Sequence, residues 1–216
     1  MTDQSTPKVK TVNDQERFWR GDFGDHYIGR NQGTDLLAAN RAFFAQLFRT
    51  TGKIRSLFEI GCNVGLNMAA ARTLLPDLQI SGVELNQMAI AEARRRLPEA
   101  DLREGSLLQL EPSDFASDLA LSKTVLIHIA PADLPTAYDV LHSVSRRYIV
   151  LAEYYSPTPV GVAYRGHSER LFKRDFAGEM LDRYEDLRLV DYGFMYHRDP
   201  VFPQDDINWF LLEKRA

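Results

Sequence analysis

The sequence predicts one α/β domain: a doubly wound, mostly parallel sheet of seven strands, with an antiparallel final strand and helices on both faces. Three observations carry this. Apolar runs of strand length alternate with helical stretches from residue 54 to residue 152, the order that makes right-handed βαβ crossovers. The last third holds two strand-like runs, 187–194 and 207–212, with no helix between them, and strands joined that way pair antiparallel. The 216 residues contain no internal repeat, low-complexity tract or linker to mark a second domain.

Residues 1–14 are polar and expected to fray. Residues 15–33 mix Phe18, Trp19, Phe23 and Tyr27 with Arg20, Arg30 and several glycines. They read as neither helix nor strand, but as an N-terminal extension that caps the core or closes over a pocket as a lid. Residues 34–216 form the domain proper. Thr34 or Asp35 can cap a helix to about residue 50, burying Leu36, Leu37, Phe43, Phe44 and Leu47. Strands are expected at 54–60, 78–85, 101–103, 116–121 and 147–152. Helices are expected at 66–75, stopped by Pro76, at 87–97, ended by Pro98, and at 134–144. Phe172, Phe176, Met180 and Tyr184 recur at spacing four, which predicts a helix over 168–184.

Composition narrows the class. The chain is 44% hydrophobic and 26% charged with net charge −4, so a full core is available and broad binding to nucleic acid or anionic membrane is disfavoured. One cysteine cannot make an intramolecular disulfide, which favours a reducing compartment. No apolar run reaches the roughly 18 residues of a bilayer span, and the polar start lacks the apolar stretch of a signal peptide. A soluble cytoplasmic protein is the expectation.

The informative segment is SLFEIGCNVGLNMAAARTLLPDLQISGVEL. A strand ends at Glu59-Ile60, a tight loop runs Gly61-Cys62-Asn63-Val64-Gly65, a helix opens, and the next strand ends in Glu84-Leu85. Gly61 allows a sharp turn and close ligand approach, Gly65 allows close helix–strand packing, and Asn63 tolerates left-handed geometry. The ligand belongs at the carboxyl ends of the strands. Glu84 can accept hydrogen bonds from both hydroxyls of a ribose. The dinucleotide fingerprint fails twice, at Asn63 and at Leu66, and no Lys-Ser/Thr pair completes a phosphate-binding loop.

The remaining pattern, acid, G-x-x-x-G, acid, resembles motif I of the class I S-adenosylmethionine-dependent methyltransferases, over residues 54–152. The resemblance implies a Rossmann-like fold and S-adenosylmethionine as cofactor. Glu59 would lie near its methionyl amino group, Glu84 at its ribose, and Ser106, after Gly105 and before Leu107, at its adenine. The stretch through Leu121-Ser122 resembles the family's D-L-hydrophobic segment beside cofactor and acceptor. Trp19, Phe23 and Tyr27 can hold a sulfonium by cation–π contact, and Arg30 joins the cofactor set. Nothing in the pattern asks for a metal.

Methyl transfer needs an in-line acceptor, and a hydroxyl acceptor also needs a base. The candidates are His128, after the fourth strand, and Glu153 and Tyr155, after the fifth. His142 and His197 read as helix-surface and loop residues, and Cys62 as a small loop residue. The segment 153–175 is rich in tyrosine, glycine and basic residues. It predicts a polar substrate loop with Tyr164, Arg165 and His167 facing an anionic acceptor. Arg170 and Lys173 read as a solvated helix start. Glu16-Arg17-Phe18-Trp19-Arg20-Gly21-Asp22-Phe23-Gly24, Glu153-Tyr154-Tyr155-Ser156-Pro157 and Tyr164-Arg165-Gly166 together resemble the methylases associated with pseudaminic acid biosynthesis. That resemblance implies a sugar-linked or anionic small acceptor, such as an amino sugar, nonulosonic acid or nucleotide sugar. The acidic balance adds the expectation of no nucleic acid or membrane partner, and a monomer or homodimer is expected. The alternatives are another metabolite, a macromolecule, or a non-catalytic cofactor-binding protein.

Overall fold

The computed structural model describes residues 13–30 and 33–215. Nine strands and seven α-helices appear among them. A seven-stranded sheet runs in the order β3-β2-β1-β4-β5-β9-β8. Its strands are β1 (Ser56–Ile60), β2 (Gln79–Glu84), β3 (Asp101–Glu104), β4 (Ser117–Lys123), β5 (Ser145–Glu153), β8 (Leu187–Met195) and β9 (Ile207–Lys214). The first five pair in parallel, and β9 runs antiparallel to both β5 and β8. This is the Rossmann-like doubly wound sheet that the sequence predicts.

Helices α3 (Thr34–Thr51), α4 (Leu66–Leu74) and α5 (Gln87–Arg96) cover one face. There Phe43, Phe44, Met68 and Ile90 pack against Leu57, Leu119 and Trp209. Helices α6 (Leu134–Val144) and α7 (Phe176–Arg183) cover the other, where Leu141, Phe176 and Met180 pack against Phe58, Ile149 and Leu212. Burial on both faces explains why β1 sets apolar Leu57 and Phe58 side by side instead of alternating apolar with polar residues.

Three expectations need correction. The helix predicted over 168–184 is a hairpin followed by a shorter helix. Strands β6 (Val160–Tyr164) and β7 (His167–Lys173) pair antiparallel with Tyr164 opposite His167. The two residues between them, Arg165 (φ 52°) and Gly166 (φ 86°), both have positive φ, as two-residue hairpin turns of type I′ require. Asp175 then caps α7 by accepting from the Gly178 N–H at 2.8 Å. The aromatic spacing of four therefore spans a strand–helix junction, and Arg170 and Lys173 lie on β7. At α3, Gly33 occupies the cap position without a side-chain hydrogen bond, so neither Thr34 nor Asp35 caps it.

Thirdly, the N-terminal extension is helical: α1 (Asp14–Arg20) and α2 (Asp22–Tyr27) are broken at Gly21. Asn13 and Glu16 form a capping box at 2.8 and 3.0 Å. Asn13 Nδ2 also donates to Asp133 at 2.8 Å, and Gln15 Nε2 to the Glu169 carbonyl at 2.5 Å. Asn86 Nδ2, at the start of α5, donates to Asp25 at 2.7 Å and to the Trp19 carbonyl at 3.2 Å. Gly24 makes this approach possible. A Cβ there would collide with the Trp19 carbonyl oxygen and lie 2.8 Å from Asn86 Nδ2. Gly24→Ala should therefore undock α1 and α2 while leaving the sheet folded. Amide exchange should show protection lost over residues 14–27, with a melting temperature lowered by only a few degrees.

Candidate active site

The strand order reverses at β1, from which the chain leads outward to β2 on one side and β4 on the other. Ligands of open α/β sheets bind at such a point. A cavity of about 630 Å³ lies there, beneath α1 and α2, a size that suits a small ligand. Its floor is the loop 61–65. Gly61 (φ 57°), Asn63 (φ 47°) and Gly65 (φ 75°) all adopt left-handed backbone. A Cβ on Gly61 would lie 2.7 Å from Val125 Cγ2, so the bare backbone lets the segment after β4 close in. Gly65 packs differently from expectation: a Cβ there would meet Leu97 at 3.2 Å and Ala93 at 3.4 Å, on α5 and just after it, and not a strand. Cys62 is buried, and burial pushes its thiol upward, so it is an inert loop residue.

Glu84 lies on the cavity wall and anchors it. Its two oxygens accept from the N–H groups of Asn63 and Asn86, both at 2.8 Å. Burial raises its pKa and these donors oppose the rise. Each oxygen keeps lone-pair capacity for a diol. Glu59 is 1% exposed, and burial pushes its carboxyl up to about 8. Asn67 Nδ2 donates to Glu59 Oε1 at 2.6 Å, while Oε2 is buried with no hydrogen-bond partner among the described residues. Asn67 lines the cavity and Glu59 sits just behind it. Ser106 Oγ accepts from the Leu108 N–H at 3.0 Å, capping a 3-10 turn, which leaves it one lone pair and its hydroxyl proton. Leu85, Gly105 and Leu107 complete this side.

Several predicted site residues lie elsewhere. Leu121 is in the core, and Ser122 Oγ donates to Glu153 Oε1 at 2.6 Å beneath the site. Because β4 continues to Lys123, the cavity is reached by Lys123, Thr124 and Val125 instead. Glu153 also accepts from the N–H groups of Val125, Leu126 and Ile127 at 3.1–3.4 Å. Burial pushes it up to about 7. With both oxygens engaged and 3% exposure it braces the segment after β4 and does not face an acceptor. Tyr155 is exposed, 6.0 Å from the Phe210 ring, and off the cavity wall. Phe23 stacks on Phe18 at 4.1 Å and His167 meets Phe18 at 5.0 Å, both outside the wall. The side chain of Arg30 lies outside the described residues.

The remaining predicted residues form the opposite wall: Trp19, Tyr27, His128, Tyr164 and Arg165. The His128 ring lies 4.5 Å from Trp19 and 5.1 Å from Tyr164. Its Nδ1 is 2.7 Å from the Arg170 carbonyl oxygen, an atom that can only accept. The proton therefore sits on Nδ1, and Nε2 is left as an acceptor. Arg170 has no helix-start role: its carbonyl holds His128 and its guanidinium lies over Phe18 at 5.0 Å. His197 lines the cavity too, although the sequence marks it only as a loop residue.

The sequence reading passed over further lining groups: Gln15, Glu16, Asn40, Lys123, Tyr154 and Gln204. Gln15 Oε1, Glu16 Oε1, Gln204 Oε1 and Trp19 Nε1 are buried without a hydrogen-bond partner among the described residues. The N-x-x-E pattern at Asn13–Glu16 could have signalled the helix that carries two of them. No local signal marks Gln204.

Comparison with known proteins agrees with this geometry. Residues 58–156 match the family model described as a methyltransferase domain. No curated protein matches in sequence. Among solved structures, the chain resembles 1,6-didemethyltoxoflavin-N1-methyltransferase from Burkholderia thailandensis, with TM-score 0.72, 16% identity, and 98% of this chain and 93% of that one covered. It resembles magnesium protoporphyrin IX methyltransferase from Synechocystis PCC 6803, with TM-score 0.69, 14% identity, and 94% and 100% covered. It also resembles an amino pentose methyltransferase from Micromonospora echinaspora, with TM-score 0.62, 14% identity, and 89% and 96% covered. Residues 58–156 thus resemble a methyltransferase domain, and the chain has the Rossmann-like fold of these solved methyltransferases.

His128 gives a pH test. Burial lowers its pKa from 6.5 to about 4, so the folded protein takes up this proton less readily than the unfolded chain. The corresponding stability is present above pH 6.5 and is lost as pH falls through 4, about 3 kcal/mol in all. The raised carboxyls Glu59 and Glu153 act the opposite way, losing stability as pH rises toward their values of about 8 and 7. In His128→Asn, which keeps a donor for the Arg170 carbonyl, the acid-side fall should shrink by about 2 kcal/mol between denaturant titrations at pH 7 and pH 4.5, the share of that loss reached before pH 4.

Proposed function

We propose that this protein is an S-adenosylmethionine-dependent methyltransferase for a small acceptor, with an amino sugar, nonulosonic acid or nucleotide-sugar intermediate of surface glycans as substrate class. The observation that carries the small-molecule reading is the lid: α1 and α2 roof the cavity through Asn13, Gln15 and Asn86, which favours a compact acceptor over an extended nucleic-acid or protein surface. The residues present fit the cofactor. Glu84 offers acceptors to a ribose, Glu59 Oε2 an open acceptor to an ammonium, and the loop 61–65 a backbone cradle.

When bound, the cofactor supplies a methyl group made electrophilic by a sulfonium sulfur. The chain supplies geometry and proton handling. Trp19 and Tyr27 present aromatic surface to a cation, worth roughly 0.5–2 kcal/mol each. His128 Nε2, the open acceptor on the wall, takes the proton from an acceptor hydroxyl or amine as its lone pair attacks. Its low basicity suits an acceptor whose proton leaves only as the bond forms. Arg165, at the hairpin tip with its guanidinium 5.3 Å from the Tyr164 ring, offers a cation to a carboxylate or phosphate. The resemblance of residues 16–24, 153–157 and 164–166 to the methylases associated with pseudaminic acid biosynthesis supports the sugar-acid class. We place the reaction in the cytoplasm, where nucleotide-sugar intermediates are made; among the described residues no helix is long and apolar enough to cross a membrane.

Incubation with methyl-labelled cofactor and a panel of amino sugars, sugar acids and nucleotide sugars should label one of these small molecules. Label found only in protein or RNA overturns the substrate class, and binding without release of S-adenosylhomocysteine overturns the enzyme reading. Glu84→Ala should weaken S-adenosylhomocysteine at least tenfold in calorimetry, because charge-assisted hydrogen bonds worth roughly 1.5–3 kcal/mol each are lost. Unchanged affinity would remove Glu84 from the ribose.

A further inference from the structure

Four polar residues gather on one face of the sheet at the carboxyl ends of β1 and β4. The two strands run parallel with Glu59 opposite Leu121. Side chains alternate along a strand, so Lys123, two residues past Leu121, projects on the same face as Glu59. Helix α4 brings Asn67 to Glu59 Oε1 at 2.6 Å, and α3 brings Asn40 to Lys123 Nζ at 3.3 Å. The acid and the base do not pair. Lys123 forms no ion pair among the described residues, its hydrogen bond to Asn40 is long, and Glu59 Oε2 is buried with no partner. Lys123, Asn40 and Asn67 line the cavity beside the glycine loop. This group stands apart from the wall of Trp19, His128 and Tyr164, whose rings contact one another.

An α-amino acid carries its ammonium and its carboxylate on one carbon. A site for it needs an anion and a cation side by side, each with free hydrogen-bonding capacity. Here the two stand on adjacent strands, about 4.8 Å apart, with Lys123 offset by two residues along β4, so they share a face and leave room between them for both groups of the ligand. We propose that Lys123 binds the methionine carboxylate of the cofactor, next to the ammonium held at Glu59. The inference rests on S-adenosylmethionine being the ligand; the Lys123 contact is what it adds. The charges agree with it. Burial pulls the Lys123 ammonium below its ordinary range, and the Glu59 carboxylate is the leading charge that opposes this. A bound zwitterion would leave both groups ionised and paired.

The test is calorimetry with the full chain and three ligands: S-adenosylhomocysteine, its decarboxylated analogue and 5′-methylthioadenosine. The unsubstituted protein should bind S-adenosylhomocysteine at least about tenfold more tightly than the decarboxylated analogue. Lys123→Met, of similar length and suited to burial, should lose that preference. Its affinity for S-adenosylhomocysteine should fall at least about tenfold, and that for the other two ligands should stay within about twofold. Equal losses for all three ligands, or no loss for S-adenosylhomocysteine, overturn the Lys123 contact. So does an unsubstituted protein indifferent to the carboxylate, a measurement that needs no variant to fold. If none of the three ligands binds the unsubstituted protein, the cofactor reading itself fails.

Discussion

The carboxylate of Glu84 is the joint on which the site hangs. One oxygen fixes the glycine loop through the Asn63 N–H, and the other fixes Asn86. Asn86 in turn caps α5 through Ala89, and its amide holds Asp25 and the Trp19 carbonyl of the lid. Cofactor cradle, helix start and roof are therefore set by one acid at the end of β2. Its burial is costly, and backbone donors offset the cost. The same contacts leave Glu84 on the cavity wall, so one group both organises the site and can bind within it.

Buried acids recur at the ends of the strands, and their hydrogen bonding separates their roles. Glu153 is saturated by Ser122 and three backbone N–H groups, and it shapes the segment that carries His128. Glu59 has one oxygen engaged and one open. A buried acceptor without a donor costs about 1–3 kcal/mol. A fold that keeps one beside a cavity is poised for a donor from a ligand. The same reasoning applies to the open oxygens of Gln15, Glu16 and Gln204, which ring the cavity and suit an acceptor rich in N–H and O–H groups.

The hairpin of β6 and β7 does for the acceptor side what Glu84 does for the cofactor side. Its turn puts Arg165 at the cavity mouth, and the Arg170 carbonyl on β7 sets the His128 tautomer. The two groups to which the proposed function gives substrate contact and proton transfer, Arg165 and His128, are thus held by one short element. It is joined to the lid by the Gln15 bond to Glu169 and by ring contacts between His167 and Phe18.

Strand–helix alternation, the glycine loop and the acids at Glu59 and Glu84 were legible in the sequence, because each follows from local rules of period, turn and strand end. So were the antiparallel last strands, since no helix separates them. The hairpin at 160–173 was hidden by an aromatic spacing of four that continues across a strand–helix junction. Of the short helices α1 and α2, only the first carries a local signal, the Asn13–Glu16 capping box, while the contacts that dock them, to Asp133 and Asn86, come from distant parts of the chain. Leu121 and Ser122 looked like site residues while β4 was read two residues short; its true end delivers Lys123. Sequence alone determined where the acids of the proposed cofactor site stand, because Glu59 and Glu84 lie at fixed places in local motifs. Only the tertiary structure decided which acids are open and which are spent. Whether a carboxylate finds N–H partners depends on segments that are distant in the chain and adjacent in space.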